Sequence, residues 1–146
     1  MKATDLMIGD WVLISVWGCK PFPSKVTSIN YNSYQGKDFV DWIDTEDEEE
    51  IGMYNVQPIS LTPEILEKNG FSEPTDAGDG TLICGMSIPP YKLTFQSIFG
   101  LPVLTIEDVV DDDNLHTCLV LKDEIHFVHE LQHALKLCKI DKDIVL

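Results

Sequence analysis

The chain has 146 residues, of which 44% are hydrophobic and 24% charged, and this composition excludes a disordered or fibrous protein. Its 25 acidic and 10 basic residues leave a net charge of −15, which has the wrong sign for direct binding to nucleic acid. No apolar run approaches the roughly 20 residues that span a bilayer, and residues 1–5 contain no apolar signal core, so we expect a soluble cytoplasmic protein that does not bind membranes.

Four short strands are predicted in the first 60 residues. Turn signals such as Gly9-Asp10 separate runs rich in apolar, β-branched and aromatic residues. The predicted strands are 11–17, 24–31, 38–44 and 51–56. This pattern indicates that residues 1–60 form a small antiparallel sheet or an SH3-like barrel, and it does not decide between the two. We expect Trp11, Trp17 and Trp42 to be core or rim residues of this sheet rather than a stacking platform.

A short connecting helix is predicted within residues 61–71. Thr62 suits the N-cap, Pro63 suits the first helical position, and Gly70 suits the end of the helix after Asn69. The polar segment from Ser72 to Gly80 is predicted to be a loop.

Residues 72–146 are predicted to form a second lobe. Further strands are expected at 81–86, 91–98, 101–106 and 115–121, and the strongest predicted helix covers about 123–138. The expected fold class is therefore α+β, with a second antiparallel sheet packed by a C-terminal α-helix.

Neither the cysteines nor the acidic runs of the sequence indicate a cofactor-binding site. Cys19, Cys84, Cys118 and Cys138 are far apart in the chain, which favours reduced, buried thiols over disulfides or metal ligands. Residues 45–50 and Asp111-Asp112-Asp113 are interpreted as solvated loops kept open by like-charge repulsion. The alternative interpretation is an acidic face that imitates DNA and captures a basic partner.

The segment His129-Glu130-Leu131-Gln132-His133 has the spacing of a zinc-peptidase helix, in which two histidines bind zinc and the glutamate activates water. Catalytic zinc needs a third protein ligand, and only 13 residues follow His133 in the chain. Asp141, Asp143 and the upstream His116 are the remaining candidates, and none has a familiar spacing.

The helical wheel also argues against a zinc site. One continuous apolar arc is formed by Phe127, Val128, Leu131, Ala134, Leu135 and Cys138. His129 and His133 project away from the centre of that arc, beside His126 and Lys136, so we expect them at the surface. We therefore predict no catalytic, cofactor-binding or metal-binding residues, and keep a zinc hydrolase that uses His129, Glu130 and His133 as an alternative.

Three blocks together resemble a family of small uncharacterised proteins from Bacteroides and its phages or prophages. They are Met1-Lys2-Ala3 through Leu6, Gly9 and Val12; the segment from Gln57 to Phe71, which is similar to "P-I-x-L-T-x-x-x-L-x-x-x-G-F"; and the segment from Val128 to Leu135. The resemblance implies no known activity. In that family the position of Glu130 is often Gln and that of His133 often Asn, which implies a helix used for packing.

The leading prediction is thus a non-enzymatic accessory or protein-interaction protein of phage, prophage or mobile-element origin, whose partner is another protein. The alternatives are the zinc hydrolase and an acidic DNA-mimic inhibitor. The sequence favours a non-enzymatic protein without deciding the question.

Overall fold

A computed structural model describes residues 6–35, 37–78, 81–98, 101–111, 114–121 and 125–146. It confirms the α+β class, with two antiparallel sheets and a C-terminal helix. In chain order the elements are β1 (Trp11–Ile14), β2 (Phe22–Tyr34), β3 (Lys37–Thr45), β4 (Ile51–Gly52), a 3-10 helix (Met53–Asn55), β5 (Val56–Pro58), α1 (Pro63–Lys68), β6 (Thr75–Asp76), β7 (Leu82–Ile88), β8 (Tyr91–Ile98), β9 (Leu101–Asp111), β10 (Asn114–Leu121) and α2 (Val128–Leu137).

The chain divides into two compact units. The first runs up to Ser60 and includes Phe127–His133, and the second comprises Leu61–His126 and Ala134–Leu146. Helix α2 therefore begins in the first unit and ends in the second. The sequence did not indicate that the start of this helix belongs with the first sheet.

The first sheet has the strand order β4-β3-β2-β1-β5, and its strands do not close into a barrel within the described residues. Alternate residues of these strands point to one apolar core, because side chains of a strand alternate between its two faces. The core is formed by Leu6, Val12, Ile14, Val26, Val40, Ile43, Ile51 and Val56. The predicted fourth strand, 51–56, is instead two short strands on either side of the 3-10 helix.

A β-bulge interrupts the pairing of β2 with β3. Asn30 is paired with Trp42 and the next residue, Tyr31, with Val40, so Asp41 has no opposite residue on β2. Such an extra residue bends the strand and re-aims the neighbouring side chains. As a result, Val40 and Ile43 both reach the core, although residues three positions apart on a regular strand point to opposite faces.

The second sheet has the order β10-β9-β8-β7-β6, and each pair of neighbours is antiparallel. The predicted strand 91–98 is confirmed as β8, and β9 extends five residues beyond the predicted end at 106. Leu93 and Leu104 are fully buried on adjacent strands. The short strand β6 lies in the segment that was predicted to be a loop.

Helix α1 follows its local sequence signals. The Thr62 hydroxyl oxygen accepts a hydrogen bond from the Ile65 N–H at 3.4 Å, and Pro63 occupies the first helical position. A hydrogen bond with the Thr62 side chain lowers the pKa of Glu64. Gly70 ends the turn after the helix with φ of 86°, which a residue with a side chain rarely adopts.

The expectation that the cysteines are buried is only partly correct. Cys84 is buried, and its burial, followed by the negative charge of Glu67, raises the pKa of its thiol. Cys138 is partly exposed, with its pKa raised by burial, whereas Cys19 is exposed. All three are free thiols. The side chain of Cys118 lies outside the part of the chain that is described.

Candidate functional site

Helix α2, which contains the segment with the zinc-peptidase spacing, begins at Val128 and not at about residue 123 as predicted. Phe127 forms an isolated antiparallel bridge with Ser60, and the Val128 N–H donates to the carbonyl of Ile59 at 2.9 Å. The Glu130 carboxylate accepts the Phe127 N–H at 3.0 Å, which satisfies a backbone donor that has no partner inside the helix. Glu130 therefore caps the first turn of its own helix, where a negative charge also favours the helix dipole.

The expectation that His129 lies at the surface is wrong. Only 3% of His129 is exposed. Its ring stacks on that of Phe127, with centroids 5.8 Å apart and planes 11° from parallel. It also meets the His133 ring edge-on at 5.8 Å. The buried face of helix α2 thus includes His129 in addition to the apolar residues of the helical wheel.

Gln132 connects the helix to the start of β1. Its side-chain oxygen accepts the Trp11 N–H at 3.0 Å, and its side-chain nitrogen donates to the Gly9 carbonyl at 2.9 Å. One buried amide therefore satisfies both a donor and an acceptor of the backbone. Since unpaired polar groups of a buried backbone are costly, the two bonds explain why a polar residue is buried here.

His133 and Asp10 form a second connection to the same turn. The ring nitrogen Nε2 of His133 lies 2.8 and 2.9 Å from the two oxygens of Asp10, a residue with no exposed surface. Asp10 also accepts the Met7 N–H at 2.7 Å. Gly9, with φ of 91°, provides the left-handed conformation of this turn. The Asp10 carboxylate is thus buried together with two hydrogen-bond partners, as a buried charge requires.

These contacts explain why polar residues occur at three positions of the His129–His133 segment. Glu130, Gln132 and His133 each bind the backbone or side chains of the first unit. Within residues 6–146, apart from the segments not described, no group of three or more His, Cys, Asp or Glu side chains is arranged to hold a metal ion. The role of the arrangement is structural, because it attaches helix α2 to the turn at Gly9 and Asp10. Of the other ligands considered, the side chain of His116 is not among those described.

We expect the purified protein to contain zinc well below one ion per chain, with a melting temperature that EDTA does not change. The reason is that the carboxylate of Glu130 and the Nε2 atom of His133 are already hydrogen-bonded within the protein. A metal that binds the folded chain would raise its melting temperature. Metal analysis and thermal unfolding with and without EDTA test this. One zinc per chain, lost in His133→Ala, would support the hydrolase alternative instead.

A second candidate site lies on the first sheet, in a groove that we name the acidic groove. It is lined by Asp41, Trp42, Glu50, Gly52 and Tyr54. Trp42 is 36% exposed and Tyr54 is 88% exposed, although both are large aromatic side chains. Two aromatic rings and two carboxylates thus surround one depression at the protein surface.

The register of the sheet places these groups together. Trp42 on β3 is directly opposite Gly52 on β4, while the next pair, Ile43 and Ile51, points into the core. Tyr54 belongs to the 3-10 helix that follows β4 and folds back over Gly52. A Cβ atom at position 52 would lie 2.7 Å from a ring carbon of Tyr54. Glycine therefore allows this ring to lie close to the sheet.

The acidic turn beside the groove is compact, so the expectation of a loop held open by repulsion is wrong for it. Thr45 bonds Glu48 through both its N–H and its hydroxyl group. The Ser24 hydroxyl donates to Asp47 at 2.6 Å, and the Glu50 N–H donates to Asp44 at 2.9 Å. Residues 46–50 are exposed, as predicted. Asp112 and Asp113, in the second acidic run, lie outside the described residues.

The tryptophans differ in their exposure. Trp17 is 100% exposed in a turn, so the prediction that it is a core or rim residue is wrong. Trp11 is partly buried, and the ammonium group of Lys25 lies 5.2 Å from its ring centroid. Only Trp42 lines the acidic groove. The sequence signal that could have indicated the exposure of Trp42 is its position in the predicted strand segment Asp41-Trp42-Ile43-Asp44, which has an acidic residue at each end.

Comparison with models of protein families, with curated proteins and with solved structures found no match to this chain. In the part of the chain that is described, neither α-helix has the length and apolar character that a membrane crossing requires.

Proposed function

We propose that the protein is a non-enzymatic accessory protein that binds a basic partner protein through the acidic groove. The observation that carries this proposal is the exposure of Trp42 and Tyr54 beside Asp41 and Glu50 in the lining of one groove. Aromatic side chains are enriched at the centres of protein interfaces, where they contribute much of the binding energy.

The charge of the surrounding surface selects the partner. Six of the seven residues from Asp44 to Glu50 are acidic, and the whole chain carries a net charge of −15. A field of one sign raises the rate at which an oppositely charged protein arrives, and it disfavours acidic partners. A basic protein is therefore the partner that this surface suits.

We also propose that the first sheet is SH3-like and that the protein originates from a mobile element. The strand order β4-β3-β2-β1-β5, with a 3-10 helix between β4 and β5, supports an SH3-like arrangement of the first sheet. The resemblance of residues 1–12, 57–71 and 128–135 to proteins of Bacteroides and its phages supports an origin in a mobile element. Both parts are independent of the groove.

Affinity capture with matched variants tests the proposed binding. The wild-type protein and the Trp17→Ala variant, immobilised and exposed to a Bacteroides lysate, are expected to retain the same basic protein. The double variant Trp42→Ala/Tyr54→Ala is expected to lose it. Titration with that purified partner should then show a dissociation constant at least about tenfold higher for the double variant, since two central aromatic contacts are worth more than 1.4 kcal/mol.

The control variant makes the result specific, because Trp17 is fully exposed and does not line the acidic groove. Equal retention by all three proteins, or no retention at any salt concentration, would contradict the proposal. The DNA-mimic alternative predicts a different pattern: neutralising Glu46 to Glu50 abolishes binding to a nucleic-acid enzyme, and the aromatic substitutions do not.

A further inference from the structure

We infer that the acidic groove receives an arginine side chain of the partner, with its guanidinium group between the rings of Trp42 and Tyr54. This inference rests on the proposed function and specifies the chemical group that is recognised. The two aromatic side chains are exposed and line the same groove. The face of an aromatic ring attracts a cation within about 6 Å, and indole does so most strongly.

The carboxylates of the groove distinguish among cations. Asp41 and Glu50 lie on the groove wall with the aromatic rings, and Glu50 is exposed. A quaternary ammonium ion has no N–H group to donate to a carboxylate, so two carboxylates add only charge attraction for it. A guanidinium group can stack on a ring and donate a pair of parallel hydrogen bonds to a carboxylate at the same time.

A lysine ammonium group fits the same surface less well. It is a compact and strongly hydrated charge without a flat face, so contact with a ring requires partial loss of its water. Guanidinium is flat and more weakly hydrated, which suits an open groove that two aromatic residues line. The groove therefore favours arginine over lysine.

Gly52 and the bulge at Asp41 give the groove its shape. Gly52 forms part of the groove surface, and any side chain there would meet the Tyr54 ring. Asp41 is the extra residue of the bulge, and Asn32 donates a hydrogen bond to its carboxylate at 3.2 Å. Asp41 thus has one oxygen engaged by a neighbour on β2 and is held at the groove edge.

Nuclear magnetic resonance of the three indole N–H groups tests the inference in the full chain. The probes are three acetylated and amidated tripeptides, Gly-Arg-Gly, Gly-Lys-Gly and Gly-citrulline-Gly, titrated at physiological salt concentration. Citrulline has nearly the shape of arginine without its charge. We expect the arginine peptide to shift the Trp42 signal with saturation, and the lysine peptide to bind at least about threefold more weakly. The citrulline peptide should cause no saturable shift.

Matched variants locate the site. Tyr54→Ala and Glu50→Gln are each expected to weaken arginine-peptide binding by about threefold to fivefold. Their controls are Tyr34→Ala, which removes another exposed tyrosine, and Glu49→Gln, which removes the same charge from the acidic turn. Gly52→Ala should also weaken binding, because it displaces the Tyr54 ring.

Several outcomes would overturn the inference. These are equal, unsaturated shifts of the Trp17 and Trp42 signals, equal affinity for the arginine and lysine peptides, and equal effects of the Glu49 and Glu50 substitutions. The proposed function fails separately, if the tripeptide binds the groove as described but no basic protein is captured through it. Conversely, capture that depends on Trp42 without preference for arginine would leave the proposed function intact.

Discussion

Replacing His133 by Ala is expected to lower the free energy of unfolding by about 3 kcal/mol, because it leaves a buried carboxylate without its main partner. Asp10 has no exposed surface, and both of its oxygens lie within 2.9 Å of the His133 ring nitrogen. After the substitution the Met7 N–H still donates to this carboxylate. Urea unfolding followed by circular dichroism measures the change.

Two companion variants make this result specific. His133→Asn retains a side-chain N–H donor, so its loss of stability should be smaller than that of His133→Ala. Leu137→Ala, at an exposed position of the same helix, should change the free energy of unfolding by about 0.5 kcal/mol or less. If His133→Ala were as mild as Leu137→Ala, the Asp10–His133 pair would not stabilise the protein.

Ile43→Ala is expected to lower the free energy of unfolding by about 3 kcal/mol, through lost burial and the cavity that remains. Ile43 is fully buried on β3 of the first sheet, where it is paired with Ile29 on β2 and Ile51 on β4. The same unfolding measurement tests this value.

The adjacent residue provides the contrast. Trp42 points to the other face of β3 and is 36% exposed, so Trp42→Ala should lower the free energy of unfolding by about 2 kcal/mol or less while abolishing partner capture. Ile43→Ala should retain the groove in its folded fraction. A Trp42→Ala variant that loses as much stability as Ile43→Ala would show that Trp42 is a structural residue and not part of a binding surface.

The elements that the sequence predicted well depend on local signals. Helix α1 has its N-cap at Thr62 and its proline in the first turn, and both act within one turn of the chain. Strand β8 shows a regular alternation that ends at the predicted residues. In contrast, β5 and β6 contain three and two residues, which is too short for any periodicity to appear.

The candidate sites were harder to predict because their geometry depends on distant residues. Gln132 is buried and His133 is partly buried through hydrogen bonds to residues more than 120 positions away, which a helical wheel does not include. The acidic run beside the groove was recognised from its charge alone. The position of Trp42 opposite Gly52, however, depends on the pairing of β3 with β4, and Tyr54 lies in a 3-10 helix where a strand was predicted.

The division of helix α2 between the two units affects how the protein is made. Gly9, Asp10 and Trp11 are synthesised about 120 residues before their hydrogen-bond partners at positions 132 and 133. The first sheet consequently cannot reach its complete set of contacts until this helix has been synthesised. A fragment that stops at Ser60 would lack Phe127–His133 as well, and its exposed turn would be a target for proteases and chaperones.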